Sequence, residues 1–256
     1  MTKVLFQIEG NVARIRLNRP ESLNAIDAKM NAALRDAWLE VNANPNIRVA
    51  MLSAEGERAF CVGADLKSAP CSGERIAFGG GITGIGGPLL AVTKPVVAAV
   101  SGLVLGGGFE LVMCADIIVA SDTAQFGLPE TALGVIGECG VVHRAVRQLP
   151  YRVALGMILT GERLQADKAL QCGLINQLVE AGALDEAAEQ WCERILAASP
   201  LAVQAVKEAA LSRIEFPLSV ALATRFEKIE GYLITEDCAE GRKAFSEKRR
   251  PIWKGR

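Results

Sequence analysis

The middle of this sequence alternates short apolar segments with a helical segment that follows a run of glycines. Residues 95–101 and 117–120 have the composition of buried strands, and residues 109–114 between them form a short apolar helix pattern. Strand, turn, helix and strand in this order are typical of parallel crossover connections. The sequence therefore predicts an α/β fold in which helices join parallel strands.

The N-terminal segments add an antiparallel start. Residues 4–17 alternate apolar and polar positions around Gly10-Asn11, which predicts a β-hairpin. Asp27 is the predicted N-cap of an amphipathic helix, and a strand is expected at residues 48–53. Residues 69–88 are rich in glycine and irregular, so we expect a mobile loop there.

After about residue 150 the pattern becomes helical. Apolar positions recur at helical spacing in five runs: 166–171, 185–198, 201–213, 217–232 and 236–245. We therefore predict two parts, a core of residues 1–195 and a helical subdomain of residues 196–256 that is suited to packing on a neighbouring subunit.

The bulk properties argue against several classes of protein. The chain has 256 residues with 28 basic and 29 acidic side chains and a net charge of −1, so it lacks the basic excess expected of a nucleic-acid-binding protein. No apolar stretch reaches the roughly 18 residues of a membrane helix, and the first residues do not resemble a signal peptide. The seven cysteines include no CxxC pair. We expect a cytosolic protein with reduced, structural cysteines.

Three segments carry candidate chemistry. A strand-like run at residues 59–67 breaks at Gly63, where a helix could begin and leave backbone amides unpaired. Three glycines at 106–108 precede a helix with Glu110 on its first turn, and Glu130 follows Pro129. Taken singly, these features also fit an N-cap, close helix–strand packing and a solvated loop carboxylate.

Together, in this order, the segments resemble the crotonase superfamily of enoyl-CoA hydratases and isomerases, over nearly the whole chain. The resemblance rests on Asn18-Arg19-Pro20, Asn24-Ala25, the run Phe-Cys-Val-Gly-Ala-Asp-Leu at 60–66, residues 94–100 and 105–111, Pro129-Glu130 and the tail at 245–249. It implies a crotonase-type spiral of ββα units with a C-terminal helical trimerisation subdomain.

The resemblance also implies a reaction. The backbone N–H groups of Ala64 and Gly107 would form an oxyanion hole for the thioester carbonyl and stabilise an enolate. Glu110 would activate the water that adds to Cβ, and Glu130 would give the proton to Cα. This describes an enoyl-CoA hydratase, a hydro-lyase that adds water to, or removes it from, the α,β double bond of an acyl-CoA.

Substrate contacts and assembly follow from the same resemblance. Leu23 and Ala25 would border the pantetheine, and Lys248 would reach a phosphate. The path near the thioester would be lined by Ala64, Asp65, Leu66, Lys67 and Gly107. No metal or organic cofactor is implied, because coenzyme A is part of the substrate. A homotrimer or a dimer of trimers is expected.

One segment departs from the family pattern. Residues 137–141 read Gly-Glu-Cys-Gly-Val where common hydratases of the family carry Pro-Gly-Ala-Gly-Gly, so that Glu138 is a possible third acid. The step from Glu130 to Glu138 resembles the acid pair of dienoyl-CoA isomerases, and an acid at this place also resembles the carnitinyl-CoA dehydratases. Glu138 could equally be a solvated helix cap.

Three hypotheses therefore remain at the level of the sequence. They are a hydratase or dehydratase, an isomerase that shuttles a proton with Glu130 and Glu138, and a non-catalytic relative that binds CoA or RNA. A quaternary ammonium substrate would call for an aromatic cage, and no tryptophan or tyrosine is obviously placed to form one. His143, the only histidine, is interpreted as structural.

Overall fold

The computed structural model describes residues 2–67, 91–137, 140–212 and 216–256. The elements of its first half are β1 (Val4–Glu9), β2 (Val12–Leu17), α1 (Ala28–Ala43), β3 (Val49–Ala54), β4 (Ala59–Cys61), β5 (Val96–Val100), β6 (Leu103–Leu105), α2 (Gly107–Met113), β7 (Ile117–Ser121) and β8 (Gln125–Gly127). This half supplies most of both sheets.

The second half is mainly helical. Its elements are α3 (Val141–Gln148), α4 (Tyr151–Thr160), β9 (Leu164–Gln165), α5 (Ala166–Gln171), β10 (Gln177–Val179), α6 (Leu184–Leu196), α7 (Pro200–Ser212), α8 (Leu218–Ala223), α9 (Glu227–Tyr232) and α10 (Glu236–Ser246). The helical C-terminal region predicted from the sequence is thus present, with two short strands preceding it.

Successive strands alternate between two sheets. In the described part of the chain, one sheet has the order β1-β2-β3-β5-β7-β10 and the other has the order β4-β6-β8-β9. Each pair β3–β4, β5–β6 and β7–β8 places one strand in each sheet, and neighbouring turns pair in parallel. The chain therefore winds as a spiral of repeated strand pairs, the predicted α/β architecture, and the N-terminal hairpin pairs antiparallel, as predicted.

Both faces of the central strands β3, β5 and β7 are buried, which explains why these strands are almost continuously apolar. In β5, Ala98 and Val100 belong to the main core, whereas Val97 and Ala99 pack in a second core with side chains of α6. The buried face of α1 consists of Met30, Leu34, Ala37, Trp38 and Val41, and the Asp27 carboxylate accepts a hydrogen bond from the Met30 amide. The predicted N-cap and helix face are confirmed.

Two local predictions are wrong. The run 217–232, expected as one helix, is divided into α8 and α9 by an extended break that begins at Thr224. No helix begins at Gly63, because residues up to Lys67 form a bridge and a turn. The loop predicted at 69–88 lies outside the described residues.

The C-terminal region is tied to the core by specific contacts. The Lys207 Nζ atom lies 2.6 Å from the Asp116 carboxylate, and Arg48 donates a hydrogen bond of 3.1 Å to the carbonyl of Trp253. Within the described residues, no helix has both the length and the apolar character required to cross a membrane.

Candidate active site

The turn that carries Ala64 is fixed by a short parallel bridge to Ile26. The Ile26 amide donates to the Gly63 carbonyl at 2.8 Å, and the Asp65 amide donates to the Ile26 carbonyl at 3.0 Å. Because alternate peptide groups of an extended strand point to opposite sides, the N–H of Ala64 faces away from this bridge. Among the described residues, it donates no hydrogen bond. Gly63 has φ +92°, which suits glycine.

The second amide begins helix α2. Gly106 precedes the helix with φ +52° and ψ −125°, and the Gly107 N–H is among the first amides of the helix, which have no acceptor within it. A Cβ atom on Gly108 would lie 2.3 Å from the carbonyl oxygen of Cys61. Glycine is therefore required where α2 packs against β4.

The two turns contact each other. A Cβ atom built on Gly63 would lie 2.9 Å from the backbone nitrogen of Gly107 and 3.2 Å from the carbonyl oxygen of Leu105. The fold thus brings together two amide-bearing turns that are more than 40 residues apart in the sequence.

Glu110 lies on the first turns of α2 and is almost fully buried, with 1% of the residue exposed. Its Oε1 atom is 3.3 Å from Nη1 of Arg144, which belongs to α3. A buried carboxylate needs a counter-charge or hydrogen bonds to remain ionised. Arg144 supplies such a charge.

Glu130 lies at the edge of the same glycine turn. A Cβ atom on Gly106 would be 3.1 Å from its Oε1 atom. Its side chain is half-buried, and this burial raises the pKa of the Glu130 carboxyl above its ordinary value. The structure therefore places one carboxyl with a raised pKa and one buried, ion-paired carboxylate around the start of α2.

Both glutamates border the segment that joins the Glu130 loop to α3. A Cβ atom on Gly137 would lie 3.6 Å from Glu130 Oε1, and a Cβ atom on Gly140 would lie 3.5 Å from Glu110 Oε1. The possible third acid, Glu138, lies outside the described residues.

The segment expected to border the pantetheine runs beside the Ala64 turn. Leu23 and Asn24 both have positive φ, 52° and 54°, and the Val62 amide donates to the Leu23 carbonyl at 3.3 Å. The buried Asn24 side chain donates to the carbonyls of Glu55 and Ala59. Ala25 therefore lies on a segment whose backbone is held against the turn.

The remaining predicted contacts are more peripheral. The side chains of Leu66 and Lys67 are exposed at the end of the turn. Lys248 lies after α10, where its amide donates to the Phe245 carbonyl. Among the described residues, no hydrogen bond or ion pair joins Lys248 to the Ala64 turn.

Sequence reasoning assigned no role to two arginines. Arg144 follows Gly140 by one helical turn, and Arg19 was noted only as part of a motif. An arginine on a partly buried helix face near a predicted acid could have indicated Arg144. Of the other candidates, His143 is exposed on α3, and burial raises the pKa of the Cys61 thiol to about 12, which makes it an unreactive core residue.

Comparison with known proteins identifies relatives along the whole chain. The family model described as enoyl-CoA hydratase/isomerase matches residues 7–256. An (E)-benzylidenesuccinyl-CoA hydratase of Thauera aromatica is 37% identical over 255 residues, covering 98% of this chain and 99% of that protein. A carnitinyl-CoA dehydratase of Proteus mirabilis is 40% identical over 254 residues, covering 96% of each.

Solved structures give the same result. A crystal structure from Novosphingobium aromaticivorans, assigned as a short chain enoyl-CoA hydratase, has 60% identity and a TM-score of 0.92, covering 100% of this chain and 99% of that one. An enoyl-CoA hydratase of Mycobacterium tuberculosis has 34% identity and a TM-score of 0.91 over the full length of both chains.

Proposed function

Because this chain belongs to the enoyl-CoA hydratase/isomerase family, we propose that it is a hydro-lyase that adds water to, or removes it from, the α,β double bond of an acyl-CoA thioester. The observation that carries the proposal is the contact between the Gly63 and Gly106–Gly107 turns, with Glu130 beside them and Glu110 on the helix that begins there.

The proposed oxyanion hole consists of the N–H groups of Ala64 and Gly107. As water adds to Cβ, the electron pair of the double bond moves towards the thioester carbonyl, whose oxygen becomes negative. Two amides aimed at this oxygen stabilise the enolate, and each such donor contributes roughly 3 kcal/mol to lowering the barrier. Neither side chain is needed, which is consistent with alanine and glycine at these positions.

The two glutamates divide the proton transfers. We propose that Glu110 accepts the proton of the attacking water, because the Arg144 guanidinium stabilises its charged form before the reaction. Glu130 gives a proton to Cα, because burial favours its neutral form. Exchange with solvent then restores both groups, and the dehydration reaction runs through the same steps in reverse.

The acyl group is open to test. Relatives are named for benzylidenesuccinyl-CoA and for carnitinyl-CoA. A quaternary ammonium such as that of a carnitinyl group would call for an aromatic cage, and a comparison of thioesters with and without this group tests whether the chain accepts one.

A panel of enoyl-CoA thioesters tests the function. Crotonyl-CoA, longer enoyl-CoAs, (E)-benzylidenesuccinyl-CoA and crotonobetainyl-CoA would be mixed with the enzyme while the absorbance of the conjugated thioester is followed. We expect loss of absorbance with at least one member, and absence of turnover with all of them would refute the proposal.

Labelled water separates hydration from double-bond migration. In H₂¹⁸O, a hydratase places the label on Cβ of the product, as mass spectrometry would show. An isomerase using Glu130 and Glu138 would move the double bond without incorporating oxygen. A product free of label would replace the hydratase assignment with the isomerase.

The proposal also covers cofactors, subunit assembly, the contact with the CoA phosphate and the location of the protein in the cell. The reaction requires only main-chain amides and carboxylates of this chain, so no metal or organic cofactor takes part in the proposed mechanism. We propose a homotrimer or dimer of trimers formed through the helical region 196–256, a tail in which Lys248 contacts a CoA phosphate, and a cytoplasmic location.

A further inference from the structure

Arg19 lies behind the Ala64 turn and binds oxygens from two segments of the site. Its Nη1 atom donates to the Ala25 carbonyl at 2.6 Å, and Nη1 and Nη2 both lie 3.1 Å from Oδ2 of Asp65. The Oδ2 atom of Asp27 lies 3.5 Å from Nη1 of Arg19 and also forms an ion pair with Lys3. With only 14% of its side chain exposed, the guanidinium is largely enclosed.

The two oxygens that Arg19 joins lie on either side of the backbone bridge that orients Ala64. Ala25 immediately precedes Ile26, and Asp65 immediately follows Ala64. The bridge itself has two hydrogen bonds, from Ile26 to Gly63 and from Asp65 to Ile26. A single guanidinium therefore links the segment that carries Ile26 to the turn that carries Ala64.

Asp65 is suited to this contact. Its other carboxylate oxygen, Oδ1, accepts a hydrogen bond of 3.1 Å from the Lys67 amide. This bond and the contact with Arg19 lower the pKa of the Asp65 carboxyl, which is therefore charged at neutral pH. The carboxylate thus connects the turn after Ala64 to Arg19.

We propose that Arg19 is a positioning residue of the active site: by binding Asp65 and the Ala25 carbonyl, it keeps the Ala64 N–H aimed at the thioester oxygen. The inference rests on the proposed function, since it assumes that this amide stabilises an enolate. Lysine cannot reproduce the role, because its ammonium group lacks the planar set of N–H donors with which the guanidinium binds both the Ala25 carbonyl and the Asp65 carboxylate.

The test compares Arg19→Lys, Asp65→Asn and the double variant with wild type. The control is Arg16→Lys, because Arg16 on β2 forms an ion pair of 3.0 Å with Glu55, which follows β3, and neither residue belongs to the Ala64 turn. For crotonyl-CoA, or the panel member turned over fastest, kcat and KM are measured. Thermal unfolding verifies that each variant is folded.

We expect kcat to fall roughly 10- to 100-fold in both single variants, because a small displacement of the donor weakens stabilisation of the enolate. KM should change by less than about 3-fold, since the amide acts mainly in the transition state. The double variant should be no worse than the more damaged single variant, because both changes break one contact. The control should keep its kcat.

A spectroscopic readout distinguishes positioning from general weakening of the fold. Butanoyl-CoA carries no double bond to hydrate, so the C=O stretch of a ¹³C-labelled thioester can be followed in the bound state by infrared difference spectroscopy. Wild type should lower this frequency relative to free butanoyl-CoA, and Arg19→Lys and Asp65→Asn should reverse part of the shift.

The inference is overturned if wild type hydrates its substrate while these variants keep both its kcat and its carbonyl shift, or if Arg16→Lys loses as much. If Arg19→Lys does not fold, Asp65→Asn decides by the same two readouts. A wild-type enzyme that turns over no thioester and shifts no carbonyl would instead refute the proposed function, and this inference with it.

Discussion

The guanidinium of Arg144 lies 3.3 Å from the carboxylate of Glu110, with 16% and 2% of the two side chains exposed. This ion pair crosses from α3 to α2, so it joins the helix that follows the Glu130 loop to the helix that begins at Gly107. The ion pair therefore holds α3 against α2, and the positive charge of Arg144 stabilises the charged form of Glu110.

Replacing Arg144 with an uncharged residue should lower the free energy of unfolding. In Arg144→Met, Glu110 would lose its cationic partner, and breaking a buried ion pair typically destabilises a protein by about 3–5 kcal/mol. We expect a decrease of about 3 kcal/mol in the free energy of unfolding, measured with urea. Arg144→Lys should lose less, because it keeps the charge. Arg152→Met, at an exposed position on α4, is the matched control, and an equal loss there would argue against a special role for Arg144.

Replacing Glu130 should affect activity and stability in opposite directions. Glu130→Gln cannot donate the proton to Cα, so kcat for hydration should fall at least roughly 100-fold. The control Glu162→Gln, at an exposed position, should retain activity. A variant at Glu130 with near wild-type kcat would remove it from the proposed mechanism.

The stability effect follows from linkage. Burial raises the pKa of Glu130, so in wild type this residue contributes most to stability at pH below its unfolded value, and that contribution is lost as pH rises through the folded pKa. At neutral pH, Glu130→Gln should therefore unfold at higher urea concentration than wild type. The difference should shrink as pH falls through the raised pKa towards about 4.5, the ordinary carboxyl value, and should be absent below it. A difference independent of pH would contradict this account.

The same pKa predicts the pH profile of the wild-type enzyme. Hydration needs Glu130 protonated and Glu110 ionised, so kcat should decline as pH rises through the raised pKa of Glu130. Dehydration uses the same pair with its one proton on Glu110, so it should also decline at high pH. Rates measured in both directions over the stable pH range test this relation. If kcat for hydration did not decline with rising pH, Glu130 would not be the acid of hydration.

Much of the fold could be predicted from local pattern, because the hairpin, α1 and the buried strands each have a distinct periodicity. The break between α8 and α9 could not, because residues 224–226 contain no glycine or proline that would signal it. Helix α9 contacts α7, which is distant from the break in sequence. The short β9 and β10 depend on partners far away in the sequence.

In the candidate site, too, some features follow from local sequence motifs and others depend on contacts between distant residues. The glycine turns and both glutamates could be found because each belongs to a recognisable motif. The partners of the arginines could not be found in this way, because the pairs are 34 and 46 residues apart, Arg144 with Glu110 and Arg19 with Asp65. Such pairs appear only when the spiral brings successive turns into contact.

Gly108 should tolerate no side chain. A Cβ atom there would lie 2.3 Å from the Cys61 carbonyl oxygen, so Gly108→Ala must push α2 away from β4 and misplace the Gly107 amide. We expect a loss of at least about 3 kcal/mol in stability, at the upper end of overpacking effects, together with loss of activity. Gly156→Ala is the control, since nothing lies within 4 Å of its Cβ position in helix α4. It should stabilise by about 0.5–1 kcal/mol. Equal melting temperatures for the two variants would contradict the packing argument.

The buried carboxylate of Asp237 should hold the end of the chain. It accepts hydrogen bonds from the amides of Lys254 at 2.7 Å and Gly255 at 3.1 Å and from the Ser199 hydroxyl at 3.2 Å, with 1% of the residue exposed. Asp237→Ala would leave these donors unpaired, which should cost about 2–3 kcal/mol.

Hydrogen exchange of the tail amides is the direct measurement. In Asp237→Ala, the amides of residues 254 and 255 should exchange much faster than in wild type, whereas amides in β5 should not change. Glu236→Ala is the control, because the neighbouring Glu236 makes exposed ion pairs with Lys254 and Arg256, which contribute less than about 1 kcal/mol. Because Lys248 lies on the same C-terminal segment, loosening of the tail should also raise the KM for CoA thioesters if this lysine contacts a phosphate. Faster tail exchange with an unchanged KM would place Lys248 outside the CoA site.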